Sequence, residues 1–201
     1  MAEIKYTKNA LRGQEQKLKQ LQSYLPTLQL KKKLLQFEVM MSHSRLENLF
    51  SSFQRKRNDV DRFSQLLSEM DNGNIAEFLE IEHVNKIYEN IAGLEAPIFE
   101  RVVFKTNNYS LFDTPVWMDR ALYNLRELIE IKQNMNVEEE RKRALMKELR
   151  EVSIRVNLFE KILIPRTLTN IKKIKIFLGD QALAAVAQTK VAKKKISRRE
   201  A

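Results

Sequence analysis

Residues 11–70 read LRGQEQKLKQLQSYLPTLQLKKKLLQFEVMMSHSRLENLFSSFQRKRNDVDRFSQLLSEM, and this stretch decides the fold. A core position that advances alternately by four and three residues falls here on apolar side chains almost throughout: Leu11, Leu18, Leu21, Leu25, Leu28, Leu35, Val39, Leu46, Leu49, Phe53, Val60, Phe63, Leu67 and Met70. Only Gln14, Lys32, Ser42 and Lys56 interrupt it. A seven-residue repeat sustained this long predicts a coiled coil, because the apolar face of an ideal helix drifts by about 20° per heptad.

Pro26 lies inside this repeat, where it removes one backbone donor. The apolar positions keep the same phase on both sides of it, so the sequence predicts a bent helix that continues through Pro26. The turn-forming residues of Asp71-Asn72-Gly73-Asn74 then predict its end.

A second repeat occupies the C-terminal part of the chain. Thr114 supplies a helix-capping hydroxyl and Pro115 suits the first helical position, so a helix is expected to begin there. An extra four-residue step through Thr167, beside Pro165, predicts a local irregularity in the helix. Its core positions are Leu128, Ile131, Met135, Leu145, Leu149, Val152, Val156, Phe159, Leu163, Ile171, Ile174 and Leu178, with Glu138 and Lys142 off-type.

Between the two repeats, residues 75–112 lose the heptad pattern. Two β-rich runs, 82–89 and 98–105, flank Asn90-Ile91-Ala92-Gly93 and predict a hairpin. The expected fold is mainly α, a long antiparallel two-helix coiled coil formed by the N- and C-terminal helices with a small β-hairpin-containing head. The expected domains are a helix over 1–70, a head with a short helix and the hairpin over 71–113, a helix over 114–192 and a flexible basic tail over 193–201.

The net charge of +10 is concentrated at the two ends of the chain. Residues 1–33 carry eight Lys/Arg against two Glu, and residues 166–201 carry ten Lys/Arg against two acidic residues, whereas the remainder is slightly acidic. Antiparallel helices bring the ends together, so the sequence predicts a positively charged tip that attracts acidic surfaces at long range. Its candidate contact residues are Lys5, Lys8, Arg12, Lys190, Lys193, Lys194 and Lys195.

Several kinds of chemistry are not encoded. There is no cysteine, and the four glycines cannot form either a phosphate-binding loop or a dinucleotide fingerprint. The two histidines are forty residues apart, and the charged run over 138–143 is expected to be a solvated, ion-paired helix face. We therefore expect no catalytic residue, no metal site and no cofactor. No apolar run is long enough to span a bilayer, so any membrane contact is expected to be indirect.

Six segments resemble the D subunits of V/A-type (vacuolar/archaeal-type) ATPases, in their bacterial or archaeal form. They are YLPTLQLKKKLL (24–35), NIAG (90–93), YSLFDTPVW (109–117), RVNLFEKILIPR (155–166), NIKKI (170–174) and IFLGD (176–180). The resemblance implies a non-catalytic central rotor shaft that transmits torque between the catalytic ring and the membrane-embedded, ion-translocating rotor. The shaft would stand in the cytoplasm, peripheral to the membrane.

The implied partners are the catalytic A and regulatory B subunits of the ring around the paired termini, the small F subunit of the stalk, and the C/d-type socket subunit of the membrane rotor. A second apolar stripe would serve a partner along one side, and Leu34, Phe50, Leu66 and Ile129, each beside a core position, are its candidates. Apolar residues beside a core position can equally belong to a wider core between the two helices.

Two other functions fit parts of the sequence. A prefoldin-like chaperone or scaffold also has helical arms and a β-containing head, but its arm tips are apolar whereas these are charged. A basic coiled-coil nucleic-acid-binding protein would use the tail from Lys193 to Arg199. The tail has no interleaved aromatic residue, so we expect no nucleic acid partner.

Overall fold

A computed structural model describes residues 5–62, 77–105, 115 and 117–198. The chain forms helix α1 (Lys8–Asp61), strands β1 (Ile81–Ile91) and β2 (Leu94–Phe104), and helix α2 (Met118–Leu158); a π-turn (Phe159–Leu163) and helix α3 (Ile164–Ser197) follow. The predicted order of long helix, hairpin and long helix is confirmed.

The fold divides into two units, which are described separately. The terminal unit comprises Met1–Lys31 and Val152–Ala201, and the middle unit comprises Lys32–Glu151. Each unit therefore contains a segment of α1 and a segment of the C-terminal half of the chain.

Helix α1 begins with a capped turn, because the Thr7 hydroxyl accepts the Ala10 N–H at 3.2 Å. The helix continues through Pro26, as predicted. Every predicted core position from Leu11 to Val60 is buried or half-buried, including the four polar interruptions. The repeat in the sequence therefore identifies the packed face of α1.

Contacts between α1 and the C-terminal helices show antiparallel pairing in both units. In the terminal unit the rings of Tyr6 and Phe177 lie 5.0 Å apart, and Lys175 Nζ lies 2.9 Å from Glu15 Oε1, so a later position on α1 meets an earlier one on α3. In the middle unit Lys142 Nζ donates to His43 Nδ1 at 3.2 Å, and Lys56 Nζ donates to Asn124 Oδ1 at 3.1 Å. Moving from residue 43 to residue 56 on α1 thus moves backwards along α2, as an antiparallel pair requires.

The core follows the predicted seam on the C-terminal helices as well. Val152, Leu145 and Ile174 are fully buried, and no predicted core position from Leu128 to Leu178 is exposed. Burying one such side chain contributes about 1.5–3 kcal/mol. Apolar packing along the seam is therefore the main stabilising interaction of both helix pairs.

The π-turn before Pro165 explains the irregular spacing near Thr167. Pro165 has no N–H and its ring crowds the preceding turn, so the regular pattern cannot continue there. The Ile164 N–H instead donates to the Phe159 carbonyl, five residues back. The wider turn keeps the next core residue, Thr167, buried, and its hydroxyl donates to the Leu163 carbonyl at 2.7 Å.

The hairpin closes through the two-residue loop Ala92-Gly93, both with positive φ, at 52° and 85°. This loop geometry matches the twist of antiparallel strands, and glycine adopts it without strain. The Asn90 side chain accepts the Gly93 N–H at 2.9 Å. Irregularities in the pairing occur between Ile81 and His83 and between Asn85 and Lys86.

The helix ends differ in part from the predictions. Helix α3 extends to Ser197, so residues 193–197 of the predicted flexible tail are helical; the preceding Ala- and Lys-rich sequence favours helix, and lysines suit a helix C-terminus. Met118 N–H donates to the Pro115 carbonyl at 2.9 Å in the turn that starts α2. The Thr114 cap, the helix end at 71–74 and the short head helix lie outside the described residues, and the domain boundaries stay predictions.

Candidate interaction surfaces

The seven predicted basic contact residues are all exposed in the terminal unit, but they form two groups. Lys5, Lys8 and Arg12 lie at the start of α1, where Tyr6 packs on Phe177. Lys190 lies thirteen residues after Phe177, which is roughly 20 Å of helix at about 1.5 Å per residue. The structure therefore separates the lysines of α3 from the basic residues of α1.

The end of α3 is exposed on all its faces. Every residue from Gly179 to Ile196 is exposed, including Leu183 at 70% and Val186 at 63%. Its alanines give it a narrow cross-section, and Lys190, Lys193, Lys194 and Lys195 give it positive charge. This segment presents both apolar and basic groups to a partner.

The residues of the predicted partner stripe do not share one face of α1: Leu34 and Phe50 are sixteen residues apart, which places them on opposite sides of its packed face. Leu34 and Phe50 are 44% and 52% exposed, and Ile129 is half-buried. Leu66 lies outside the described residues. Their exposure is what a partner surface requires, although it does not identify the partner.

Sequence reasoning missed other exposed apolar side chains. Phe37 and Met41 follow Leu34 by three and seven residues, so the three lie on one face of α1, and all are exposed. On the C-terminal half, Ile154, Leu158 and Ile162 are spaced by four residues and are also exposed. A search for a second apolar periodicity offset from the main seam would have found both stripes.

The charged run over 138–143 was predicted to be solvated, and this is wrong for two of its residues. Glu138 and Arg141 are 7% and 2% exposed. They lie three residues apart on one face of α2, and both α1 and the hairpin pack against that face. The neighbouring residues are exposed and ion-paired, as predicted. Glu139 pairs with Arg143 at 3.3 Å, and Glu140 pairs with Lys86 of β1 at 2.6 Å.

Arg141 joins three elements of the middle unit. Its Nη2 donates to a Glu89 carboxylate oxygen on β1 at 3.0 Å and lies 3.5 Å from a Glu38 carboxylate oxygen on α1. The guanidinium is covered and the two carboxylates are more exposed. A charged hydrogen bond in such a setting stabilises by about 1.5–3 kcal/mol.

A cleft of about 510 Å³ lies between the hairpin and the two helices, next to Arg141. Leu49, Ile98 and Phe99 are its apolar lining residues. Its other lining residues are polar or charged: Arg45, Asn48, Ser52, Glu89, Asn134, Glu138 and Arg141. Over part of its length the hairpin is thus separated from the helices by a cleft lined by both apolar and polar groups.

A second arginine, Arg126, holds the other end of the hairpin. Its guanidinium carbon lies 5.3 Å from the centroid of the Phe104 ring, and its Nη2 donates to the Phe78 carbonyl at 3.1 Å. At the same end, Lys105 forms a hydrogen-bonded ion pair with Glu80, which raises the pKa of Lys105 above its usual value. Side chains of both charge signs therefore fasten the base of the hairpin.

Within the described residues, no group of three His, Asp or Glu side chains is placed to hold a metal ion. No helix in that part of the chain is long and apolar enough to cross a membrane. His43, which the sequence analysis treated as a helix-surface residue, is exposed and contacts Lys142 and Glu47.

Comparison with known proteins agrees with this architecture. The profile of the family of ATP synthase D subunits matches residues 10–194. The chain belongs to this family. It is 44% identical over 199 residues to the D subunit of the V-type ATP synthase of Chlamydia caviae, covering 98% of this chain and 96% of that protein. The corresponding D subunit of Chlamydia pneumoniae is 42% identical over 200 residues, covering 99% and 96%.

Membership of the D-subunit family confirms the resemblance drawn from the six sequence segments. The matched range covers both helix pairs and the hairpin, and so includes the exposed surfaces of both units. The lysines at 190, 193 and 194 lie at its C-terminal limit, whereas Lys5 and Lys8 lie before its start.

Proposed function

We propose that this chain is the central stalk of a V/A-type rotary ATPase, transmitting torque between the catalytic ring and the membrane-embedded rotor without a catalytic site of its own. Family membership carries the proposal, because the relatives are V-type ATP synthase D subunits. The same membership favours the stalk over the chaperone and nucleic-acid alternatives.

The packing of the helices supports a mechanical role. In each unit α1 is paired with a C-terminal helix along a seam whose positions are buried or half-buried. Two helices that interdigitate along a seam resist twisting better than one, because torsion must break contacts between them as well as within them. Such a pair is suited to carrying torque.

The exposed end of α3 supports insertion of the terminal unit into a ring of A and B subunits. Its alanines leave a narrow helix, and its lysines attract acidic surfaces over about 8 Å at physiological ionic strength. Attraction of this range is shallow and changes gradually as a shaft turns. The lysines would therefore act as an electrostatic bearing.

The exposed apolar residues of the middle unit support contact with a further stalk protein. Leu34, Phe37 and Met41 are large apolar side chains exposed on one face of α1. We assign this face to the small F subunit, while the socket subunit of the membrane rotor would bind elsewhere on the unit. On this account the protein is peripheral to the membrane and its membrane contact is indirect.

Charge neutralisation tests the bearing. Changing Lys190, Lys193, Lys194 and Lys195 to glutamine should weaken assembly with purified A and B subunits and reduce its salt dependence. The matched control changes four exposed basic residues of the middle unit, Lys33, Lys132, Lys147 and Arg150, to glutamine and should leave assembly unchanged. Equal assembly and equal salt dependence for both variants would contradict the bearing.

A further inference from the structure

The hairpin is a two-stranded sheet, so each strand has one edge that no further strand of the described residues covers. The register shows which backbone groups lie on these edges. Ile91 and Leu94 close the two-residue loop, and the pair that closes such a loop exchanges backbone hydrogen bonds. Hydrogen-bonded and non-hydrogen-bonded pairs then alternate along the strands, as far as the irregularity between Asn85 and Lys86.

This alternation turns one set of β1 backbone groups away from β2. The non-hydrogen-bonded pairs are Asn90 with Glu95, Tyr88 with Pro97, and Lys86 with Phe99. The N–H and C=O groups of Lys86, Tyr88 and Asn90 therefore point outward. Among the described residues these groups have no hydrogen-bond partner. They form the β1 edge, which we define as Lys86–Asn90.

The outer edges of the two strands differ in access. On β2, Pro97 faces the outer edge without an N–H and is buried together with Ala96, which blocks the addition of a further strand there. On β1, every residue from 86 to 90 is exposed. Ile87 and Tyr88 are 52% and 61% exposed, and successive side chains lie on opposite faces of a strand. Neither face of the β1 edge is therefore covered.

The charged side chains of the β1 edge do not protect it. Edge strands commonly carry lysines that repel an incoming strand. Here Lys86 is turned onto α2 by its ion pair with Glu140, and Glu89 is turned onto α2 by Arg141. The Lys86 side chain is less exposed than the residue as a whole, so its main chain carries much of the accessible surface. The edge thus presents unpaired backbone groups between apolar side chains.

We propose that the β1 edge is a strand-addition site for an extended segment of a partner protein. The segment would form backbone hydrogen bonds with Lys86, Tyr88 and Asn90 and would place apolar residues beside Ile87 and Tyr88. A helix cannot do this, because its own backbone groups are already paired along the helix.

The charge of the hairpin indicates that the segment is basic. Residues 80–105 carry five glutamates against three Lys/Arg, whereas the whole chain has a net charge of +10. Glu82, Glu95 and Glu100 are exposed. An apolar segment that also carries Lys or Arg is therefore complementary to the hairpin, and an acidic segment is repelled.

A synthetic peptide that alternates valine and lysine tests the site on the full-length chain. Amide exchange with water, measured residue by residue by NMR, should slow about three- to tenfold at Lys86, Tyr88 and Asn90 when the peptide is bound. Exchange at Ile87 and Glu89 should not change, because their N–H groups already bond to β2. A peptide that alternates valine and glutamate is the charge control and should bind more weakly.

Two substitutions at one position separate the backbone from the side chain. Tyr88→Pro removes an outward N–H and keeps every bond between the strands, because Tyr88 lies in a non-hydrogen-bonded pair. Tyr88→Ala removes the ring and keeps the N–H. The lysine peptide should bind Tyr88→Pro about three- to tenfold more weakly than Tyr88→Ala. Slow exchange at Ile87 and Glu89 checks that each variant retains the hairpin.

The exchange pattern of the unaltered chain decides the proposal even if Tyr88→Pro opens the hairpin. Slowed exchange at alternate residues supports strand addition, since contact with one face of the sheet would not select alternate amides. Slowed exchange at none of the five residues, or equally at all of them, would overturn the site. Equal binding of the lysine peptide to two folded variants, or tighter binding of the glutamate peptide, would overturn it as well.

Discussion

The seams of the two units differ in composition. The off-type core positions of the terminal unit are Gln14 and Thr167, both uncharged. The middle unit contains every charged one: Lys32, Lys56, Glu138 and Lys142. Apolar seams stabilise by burial, whereas charged seam positions need particular partners and so select one register of the two helices. The seam of the terminal unit is thus stabilised mainly by apolar burial, whereas the seam of the middle unit also depends on specific contacts of charged side chains.

The largest expected effect tests the apolar seam of the terminal unit. Ile174 is fully buried, so Ile174→Ala should lower the free energy of unfolding by about 2–4 kcal/mol. Ile176 on the same helix is 56% exposed, and Ile176→Ala should change it by less than about 0.5 kcal/mol. Urea denaturation followed by circular dichroism measures both, and equal effects would contradict the assigned seam.

The next largest effect concerns the polar contacts of the middle unit. Arg141→Ala leaves Glu38 and Glu89 without their guanidinium and should destabilise by about 1–3 kcal/mol. Arg143→Ala removes only an exposed ion pair and should cost less than about 0.5 kcal/mol. Urea denaturation of the two variants under the same conditions measures the difference. An unchanged free energy of unfolding for Arg141→Ala would mean that the polar cluster contributes no stability.

The glycines of the two units should respond with opposite signs. Gly93 has a φ of 85°, so Gly93→Ala should destabilise the hairpin by about 1 kcal/mol. Gly179 lies inside α3, and a Cβ there would meet open space, so Gly179→Ala should stabilise by about 0.5–1 kcal/mol. Thermal unfolding of the two variants should shift in opposite directions, and a shared direction would contradict this assignment.

A smaller effect is expected at a buried polar seam position. The Ser42 hydroxyl is fully buried and has no hydrogen-bond partner among the described residues. Ser42→Ala removes a desolvated group without adding volume and should stabilise by up to about 1 kcal/mol. If urea denaturation instead showed Ser42→Ala to be less stable, the hydroxyl would have a hydrogen-bond partner in solution. Ser42 would then be a stabilising polar position of the middle unit's seam.

The smallest effect lies at the base of the hairpin. Glu80→Gln should lower the pKa of Lys105 towards its ordinary value, because the carboxylate is what raises it. A raised lysine pKa stabilises the fold below the unfolded value of about 10.4, and this contribution is lost as pH rises through the folded value. NMR titration of the Lys105 side chain measures the shift, and an unchanged pKa would exclude the ion pair in solution.

The sequence predicts the regular features of this fold well. A long repeat averages over many positions, so single exceptions such as Gln14 or Thr167 do not hide the seam. The Asn90–Gly93 turn is equally readable, since few sequences suit two successive positive φ values. Charged residues are different, because the same Glu–Arg spacing occurs on exposed and covered faces. Burial of Glu138 and Arg141 depends on where the hairpin docks, which is a contact between segments distant in sequence.

The proposed function itself is tested most directly by isolating the tagged full-length chain from cells that produce it and identifying the bound proteins by native mass spectrometry. The stalk account predicts recovery of the A and B proteins of the ring and a small F-type stalk protein in fixed stoichiometry with this chain. Recovery of mixed unfolded proteins or of nucleic acid, without the ring proteins, would contradict it.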